Sequence, residues 1–220
     1  MSDTASGDVR LRVSEIFHSL QGEARDAGWP TVFVRLTGCP LRCVWCDTAY
    51  AFHGGQWRDI DQILAEVAGH QARHVCVTGG EPLAQKRCLD LLERLCDEGY
   101  AVSLETSGAL DVSAVDPRVV KVMDLKAPGS GESARNMWSN LDSIGAADQI
   151  KFVLANRVDY EWACAVIREH GLVARCEILF SPVYAKLAPR ELAQWILQDH
   201  LPVRMQLQLH KLLWGEEPGH

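Results

Sequence analysis

Gly38-Cys39-Pro40-Leu41-Arg42-Cys43-Val44-Trp45-Cys46-Asp47-Thr48 places three cysteines in a C-x3-C-x2-C pattern. Three thiolates this close in the chain can close on three irons of one iron–sulfur cubane, and the fourth iron then lacks a protein thiolate. Such an open position is where a chelating ligand binds, as in other catalytic metal sites. The spacing alone leaves zinc open as well. A structural zinc prefers four protein ligands, usually in two pairs. The chain offers no second C-x2-C and no nearby His pair, but His53 could be a fourth ligand. The other five cysteines, Cys76, Cys88, Cys96, Cys164 and Cys176, are scattered through strand-like and helix-like runs and read as small buried hydrophobes.

On both sides of the cysteine run, short β-rich segments alternate with helical ones. Residues 31–37 read as a strand that delivers the chain into the cysteine loop, and residues 10–17 as an N-terminal strand. Further strands are expected at 73–78, 100–105, 119–125, 149–154, 173–180 and 203–209. Helical spacing predicts helices over 61–70, 83–97, 159–170 and 189–198. Leu83, Leu89, Leu92, Leu95 and Cys96 recur at three- and four-residue steps, and Gly99 and Gly171 act as stops. Residues 128–133 form a polar loop, and the polar tail from Gly215 is expected to be flexible. This alternation predicts an α/β fold with a mostly parallel sheet and helices outside it. About six βα units fall short of the eight of a closed barrel. The expected fold is therefore a partial, open βα barrel of about six parallel strands, in a single domain over 1–220.

In such barrels chemistry sits at the carboxyl ends of the strands. Polar groups and glycines gather there: Gly38 and the cysteines, Thr78-Gly79-Gly80-Glu81, Glu105-Thr106-Ser107, Asp124-Leu125-Lys126 and Ser181-Pro182. Two glycines let a backbone approach a ligand closely, Glu81 suits an ammonium group, and Pro82 suits the start of a following helix.

C-x3-C-x2-C with an aromatic residue before the last cysteine resembles the radical S-adenosylmethionine (SAM) superfamily, and Gly79-Gly80-Glu81-Pro82 resembles its GGEP motif. The resemblance implies a [4Fe–4S] cluster on Cys39, Cys43 and Cys46, whose open iron is chelated by SAM and whose electron cleaves SAM to a hydrogen-abstracting radical. It implies SAM contacts from Trp45, Asp47, Gly79, Gly80, Glu81, Glu105, Ser107, Asp124, Lys126, Ser181 and Pro182. Read without it, these loops are Ser/Gly turns and Lys126 a solvated charge.

Glu15 to Glu23 with Gln21-Gly22-Glu23, Phe33-Val34-Arg35-Leu36-Thr37-Gly38-Cys39, Cys46-Asp47-Thr48 and Gln208-Leu209-His210-Lys211 together resemble the 7-carboxy-7-deazaguanine synthase family, over nearly the whole chain. Ala24 stands where that family often has glycine. The resemblance implies a carbon–nitrogen lyase of queuosine and deazapurine biosynthesis. Such a lyase converts 6-carboxy-5,6,7,8-tetrahydropterin to 7-carboxy-7-deazaguanine with loss of ammonia, with Mg2+ bound by Thr48 and SAM regenerated. Arg35 offers a bidentate fork to the pterin carboxylate. Leu20, Gln21, Gly22, Glu23, Thr78 and His210 are the other expected substrate contacts, matching the donor and acceptor edge of the pyrimidine ring. A flavodoxin or ferredoxin as electron donor and a homodimer are further implications. Two other readings compete. One is a glycyl-radical-enzyme activase, which shares the cysteine pattern but acts on a protein. The other is a non-catalytic zinc-binding module, which needs zinc to fold.

The remaining bounds come from composition. Twenty-two Lys+Arg against 29 Asp+Glu give a net charge of -7 over 220 residues, with no basic block for a nucleic-acid backbone. No apolar run approaches a membrane span and the first ten residues carry no signal-peptide pattern. The expectation is a soluble cytoplasmic protein.

Overall fold

The computed structural model describes residues 10–215. Among these, nine strands form one sheet flanked by five α-helices. The strands are β1 (Leu11–Leu20), β2 (Pro30–Leu36), β3 (Gln56–Arg58), β4 (His74–Gly79), β5 (Ala101–Thr106), β6 (Val120–Asp124), β7 (Gln149–Leu154), β8 (Glu177–Pro182) and β9 (Arg204–Met205). The helices are α1 (Ile60–Gly69), α2 (Cys88–Asp97), α3 (Arg157–Glu169), α4 (Pro189–Gln198) and α5 (Leu209–Trp214). The strand order is β3-β1-β2-β4-β5-β6-β7-β8-β9, parallel from β2 onward, with β1 antiparallel to both β2 and β3. The edges β3 and β9 do not pair, so the expected open, mostly parallel architecture is what forms.

Strand side chains alternate between faces, and the chain uses this strictly. Val32, Val34 and Leu36 of β2, Val75 and Val77 of β4, and Val102 and Leu104 of β5 pack outward against Ile63, Val67, Leu91 and Leu95 of α1 and α2. Ile150, Phe152 and Leu154 of β7 and Ile178 and Phe180 of β8 do the same against α3 and α4. Phe152 meets Trp162 and Phe180 edge-on at 5.9 and 5.6 Å. Truncating a buried Phe of this kind to Ala costs about 3–5 kcal/mol. The residues between them, Arg35, Thr78, Glu105, Asp124 and Lys151, are thereby forced onto the inner face.

Local chemistry sets the boundaries. Asp59 and Gln62 form a reciprocal capping box on α1, and Asn156 caps α3 by accepting from Asp159 N at 3.0 Å. The helix expected over 83–97 divides into a short 3-10 turn, Pro82–Ala84, and α2. Gln85 breaks it, because its side chain accepts from Arg12 N at 2.8 Å and donates to the carbonyls of Arg12 and Thr37 at 2.9 and 3.0 Å. Pairing those strand-end backbone groups requires the extended backbone that Gln85 adopts. The strand expected over 203–209 shrinks to β9, since Gln206 turns inward to accept from Ala24 N at 2.8 Å and Leu209 N donates to Gly22 O at 2.9 Å. The strand expected from 173 begins at Glu177, after a 3-10 turn over Leu172–Ala174 that follows left-handed Gly171. Cys76, Cys88, Cys164 and Cys176 are buried and Cys96 is half-buried. The tail after Gly215 lies outside the described residues.

Candidate active site

The inner face of the sheet and the loops at its carboxyl rim enclose a cavity of about 440 Å3. Its first wall is the cysteine loop. Gly38, with φ 100°, turns the chain out of β2, and its N–H donates to Ala51 O at 2.8 Å. Cys39, Cys43 and Cys46 all line the cavity and are half-buried. Burial pushes the thiols of Cys39 and Cys43 up, Cys43 to about 11, only partly offset by Leu41 N at Cys39 and by Lys126 at Cys43. Metal binding would displace the protons of such thiols. Among the described residues no group of three or more His, Cys, Asp or Glu is disposed to hold a single metal ion. Three free thiols facing one cavity fit a cubane, which spreads its ligands over separate irons.

The floor is built by Thr78, Gly79 and Gly80 at the end of β4. Gly80 packs so tightly under the cysteine loop that a Cβ there would lie 2.6 Å from the carbonyl carbon of Gly38, and Glu81 N donates to Gly38 O at 2.8 Å. Glu81 itself does not line the cavity. It is fully buried beneath it, where its carboxylate accepts from Thr106 Oγ1 at 2.9 Å, Ser107 N at 2.7 Å, Ser107 Oγ at 2.5 Å and Leu83 N at 3.1 Å. Ser181 and Pro182 are likewise buried in β8 and off the lining; Val183, Tyr184 and Lys186 of the next loop take that side. Lys186 Nζ stands over the Trp45 ring at 5.3 Å.

On the far wall, Asp124 and Lys126 both reach the cavity and pair at 2.9 Å through Asp124 Oδ2. Burial works against the Lys126 charge, but Asp124 and Cys43 raise its pKa overall. Asp124 Oδ1 is buried with no partner among the described residues, an unsatisfied acceptor of the kind that native sites rarely leave without a role. Thr48 lines the cavity with Oγ1 3.7 Å from Cys46 Sγ, while Asp47 pairs with Lys211 at 2.9 Å. One hydroxyl beside open space fits Mg2+, which takes few protein oxygens and fills the rest with water or substrate.

The remaining expected residues share the same lining. Leu20, Gln21, Gly22, Glu23, Arg35 and His210 all line the cavity. Arg35 is flanked by Phe17 and Tyr50, each ring centroid 5.8 Å from its guanidinium carbon. It donates to Glu15 Oε1 at 2.7 Å and to Gly79 O at 3.2 Å. It is an oriented wall cation rather than the surface pair that a lone Arg usually makes. Burial pushes the His210 pKa down despite Glu23 and Asp47 nearby, so a neutral imidazole faces the cavity near pH 7. Sequence reasoning missed Lys151, which lines the cavity and pairs with both Glu23 and Glu105. It also missed Gln208, Lys211 and Cys76, the last being buried yet on the inner face of β4. For Lys151 the signal was present: a lysine between Ile150 and Phe152 must face away from the helices.

Residues 33–124 match the family model for the radical SAM superfamily. The chain is similar to 7-carboxy-7-deazaguanine synthase of Chlorobaculum tepidum, 47% identical with 96% of this chain and 98% of that one covered. It is similar to the synthase of Koribacter versatilis at 44%, covering 94% and 98%. A crystal structure of QueE from Escherichia coli superposes with a TM-score of 0.77 at 24% identity, covering 94% of this chain and all of that one, which shows a shared fold.

Proposed function

The chain belongs to the 7-carboxy-7-deazaguanine synthases of the radical SAM superfamily, and we infer from this that it converts 6-carboxy-5,6,7,8-tetrahydropterin to 7-carboxy-7-deazaguanine and ammonia. The observation that carries the reading is one cavity lined by three cysteines together with Gln21, Glu23, Arg35 and His210. That pairing favours a small carboxylated heterocycle over the peptide substrate of an activase, and a catalytic cluster over a zinc-stabilised module.

Cys39, Cys43 and Cys46 would hold the [4Fe–4S] cluster, which when bound supplies the electron for reductive cleavage of SAM and so the means of hydrogen abstraction at C6. Gly79 and Gly80 give SAM close access to backbone. Trp45, Asp47, Ser107, Asp124 and Lys126 offer it an aromatic face, hydroxyl and carboxylate acceptors and one cation. Glu81 acts from below: its buried carboxylate fixes Ser107 and Thr106 in place. Arg35 binds the pterin carboxylate through its fork. Gln21, Glu23 and neutral His210 read the pyrimidine edge, and Thr48 gives an oxygen to Mg2+. These roles, a single domain, a cytoplasmic site, a homodimer and reduction by a flavodoxin or ferredoxin form one consistent proposal. Among the described residues no helix is long and apolar enough to cross a membrane.

The test is anaerobic. The protein is reconstituted with iron and sulfide, then given SAM, Mg2+, reductant and 6-carboxytetrahydropterin, with products followed by mass spectrometry. 7-Carboxy-7-deazaguanine is the expected product. SAM cleavage without pterin conversion would overturn the substrate assignment and leave the superfamily chemistry standing.

A further inference from the structure

Two buried carboxylates share one buried ammonium in the lining of the cavity. Lys151 Nζ lies 2.7 Å from Glu23 Oε2 and 3.1 Å from Glu105 Oε2, and the side chains are 8%, 14% and 17% exposed. They come from separate elements: Lys151 from the middle of β7, Glu105 from β5, Glu23 from the loop between β1 and β2. A structural ion pair needs one carboxylate. Here the lysine is held between two, inside a cavity, where desolvation makes the arrangement expensive unless it serves a further purpose.

Without the cation, two neighbouring buried carboxylates cannot both stay ionised, and one takes up a proton. A protonated carboxyl becomes a donor, and would meet the N–H edge of a pterin donor to donor. We propose that Lys151 is a positioning residue that keeps Glu23 and Glu105 an acceptor-only pair with no proton between them, and through that pair, both of whose members line the cavity, sets recognition of the 2-amino and ring N–H groups of the substrate's pyrimidine ring. This rests on the function proposed above.

The hydrogen bonding around Glu23 agrees. Besides Lys151, Gln208 Nε2 donates to Oε1 at 2.9 Å and Gln206 Nε2 to Oε2 at 3.4 Å. A carboxylate has about four acceptor sites, so capacity remains for the ligand. Burial alone would raise the Glu23 pKa, yet the Lys151 charge and these donors hold it at about 2, while burial and the nearby Glu23 charge raise that of Glu105 despite Lys151. The other charges bearing on the pair are Asp124 on β6, Lys126 after it, His210 and Lys211 on α5, and Asp47 of the cysteine loop. Among all of these, only Lys151 hydrogen-bonds to both carboxylates.

The experiment is calorimetric titration of 6-carboxytetrahydropterin into the anaerobic, cluster-loaded, SAM-bound protein from pH 6 to 9. The parent is expected to bind with a nearly flat Kd. Lys151→Met is expected to bind about tenfold or more weakly at pH 6.5 and to recover as the pH rises, about tenfold per unit at the steepest. Lys151→Arg, which keeps the charge, is expected to stay within about threefold of the parent and flat. Should Lys151→Met not fold, Lys151→Gln carries the same expectation. Binding of the Met or Gln variant that is unchanged, or weakened equally at every pH, would overturn the proposal, as would an Arg variant as damaged as Met. A parent protein that binds no pterin at any pH would instead overturn the functional assignment on which the proposal rests.

Discussion

The contact between Gly80 and the cysteine loop makes a sharp demand on one hydrogen atom. A Cβ built on Gly80 would lie 2.6 Å from the carbonyl carbon of Gly38 and 3.3 Å from Cys39 Cβ, and nearer still to Gly38 O. Those are mostly backbone atoms, which cannot rotate away, so Gly80→Ala must push the Gly38–Cys39 segment outward by roughly 1 Å to restore ordinary contact. The same movement stretches the Glu81 N to Gly38 O hydrogen bond, now 2.8 Å, past its useful range. Overpacking costs about 1–3 kcal/mol and the lost hydrogen bond about 1 kcal/mol, together about 2–4 kcal/mol. A protein of ordinary stability survives that, so the variant should fold and carry Cys39 in the wrong place. Urea denaturation under argon should show the loss. Iron content after reconstitution should fall, and SAM cleavage should drop about a hundredfold, the usual penalty of a 1 Å misplacement. Gly69→Ala at the end of α1 is the control, because a Cβ there meets nothing within 4 Å; it should gain up to about 1 kcal/mol. Equal stability and full SAM cleavage in Gly80→Ala would refute the close-packing argument.

Other expectations follow from the same geometry. Arg35→Lys keeps the charge but loses the fork, so KM for the pterin should rise about tenfold to a hundredfold with a smaller change in kcat; an unchanged KM in steady-state assays would remove Arg35 from carboxylate binding. Gly22→Ala would drive a methyl into the His210 ring, 2.9 Å from Cγ, displacing α5, and should raise KM while leaving pterin-independent SAM cleavage near the parent level. The Glu23 carboxyl falls from its ordinary 4.5 to about 2 on folding. Its stabilisation is therefore present above pH 4.5 and lost as pH drops toward 2, about 3 kcal/mol at most. Urea titrations across that window should be flatter for Glu23→Gln than for the parent. Glu105, whose pKa is raised, acts with the opposite sign, its contribution falling as pH rises above 4.5.

Much of this was legible because the chain obeys two periods. The three-and-four spacing of Leu92 and Leu95 located α2, and the outward Val and Ile positions located the strands, so the open barrel and its rim followed. What escaped was set by long-range pairing. Gln85 leaves a helical pattern to satisfy Arg12 and Thr37, far away in sequence. Gln206 ends a strand-like run to reach Ala24. β3, three residues long and exposed at two of them, is too short to show a period. In the site, rim position pointed to Cys39 and Asp124, both of which line the cavity, while Arg35 came only from the family resemblance. Rim position gave no way to see that Glu81 would be consumed by Thr106 and Ser107, or that Ser181 and Pro182 would be sealed inside β8.

Ala24 shows why a local reading of size misses the point. Where relatives of this kind often carry glycine, alanine looks equivalent because it is nearly as small. The backbone here is left-handed, with φ 64°, a conformation costing an L-residue about 1–2 kcal/mol. The surroundings offset that cost. Ala24 N donates to Gln206 Oε1 at 2.8 Å, its carbonyl accepts from Arg204 at 2.6 Å, and its methyl is buried with Val122 and Leu179. The turn it holds carries the loop between β1 and β2 across the open side of the sheet onto β7 and β9, with Arg25 N on Gln149 at 2.7 Å. That crossing brings Glu23 to Lys151 and joins the first strand of the chain to the strands after the cysteine loop. An open barrel thus gains a wall from a strained turn, and its position in the chain, before the first cysteine, lets one loop bring Gln21 and Glu23 into the cavity while another carries the three thiols, with Gln208 reaching both Glu23 and Asp47.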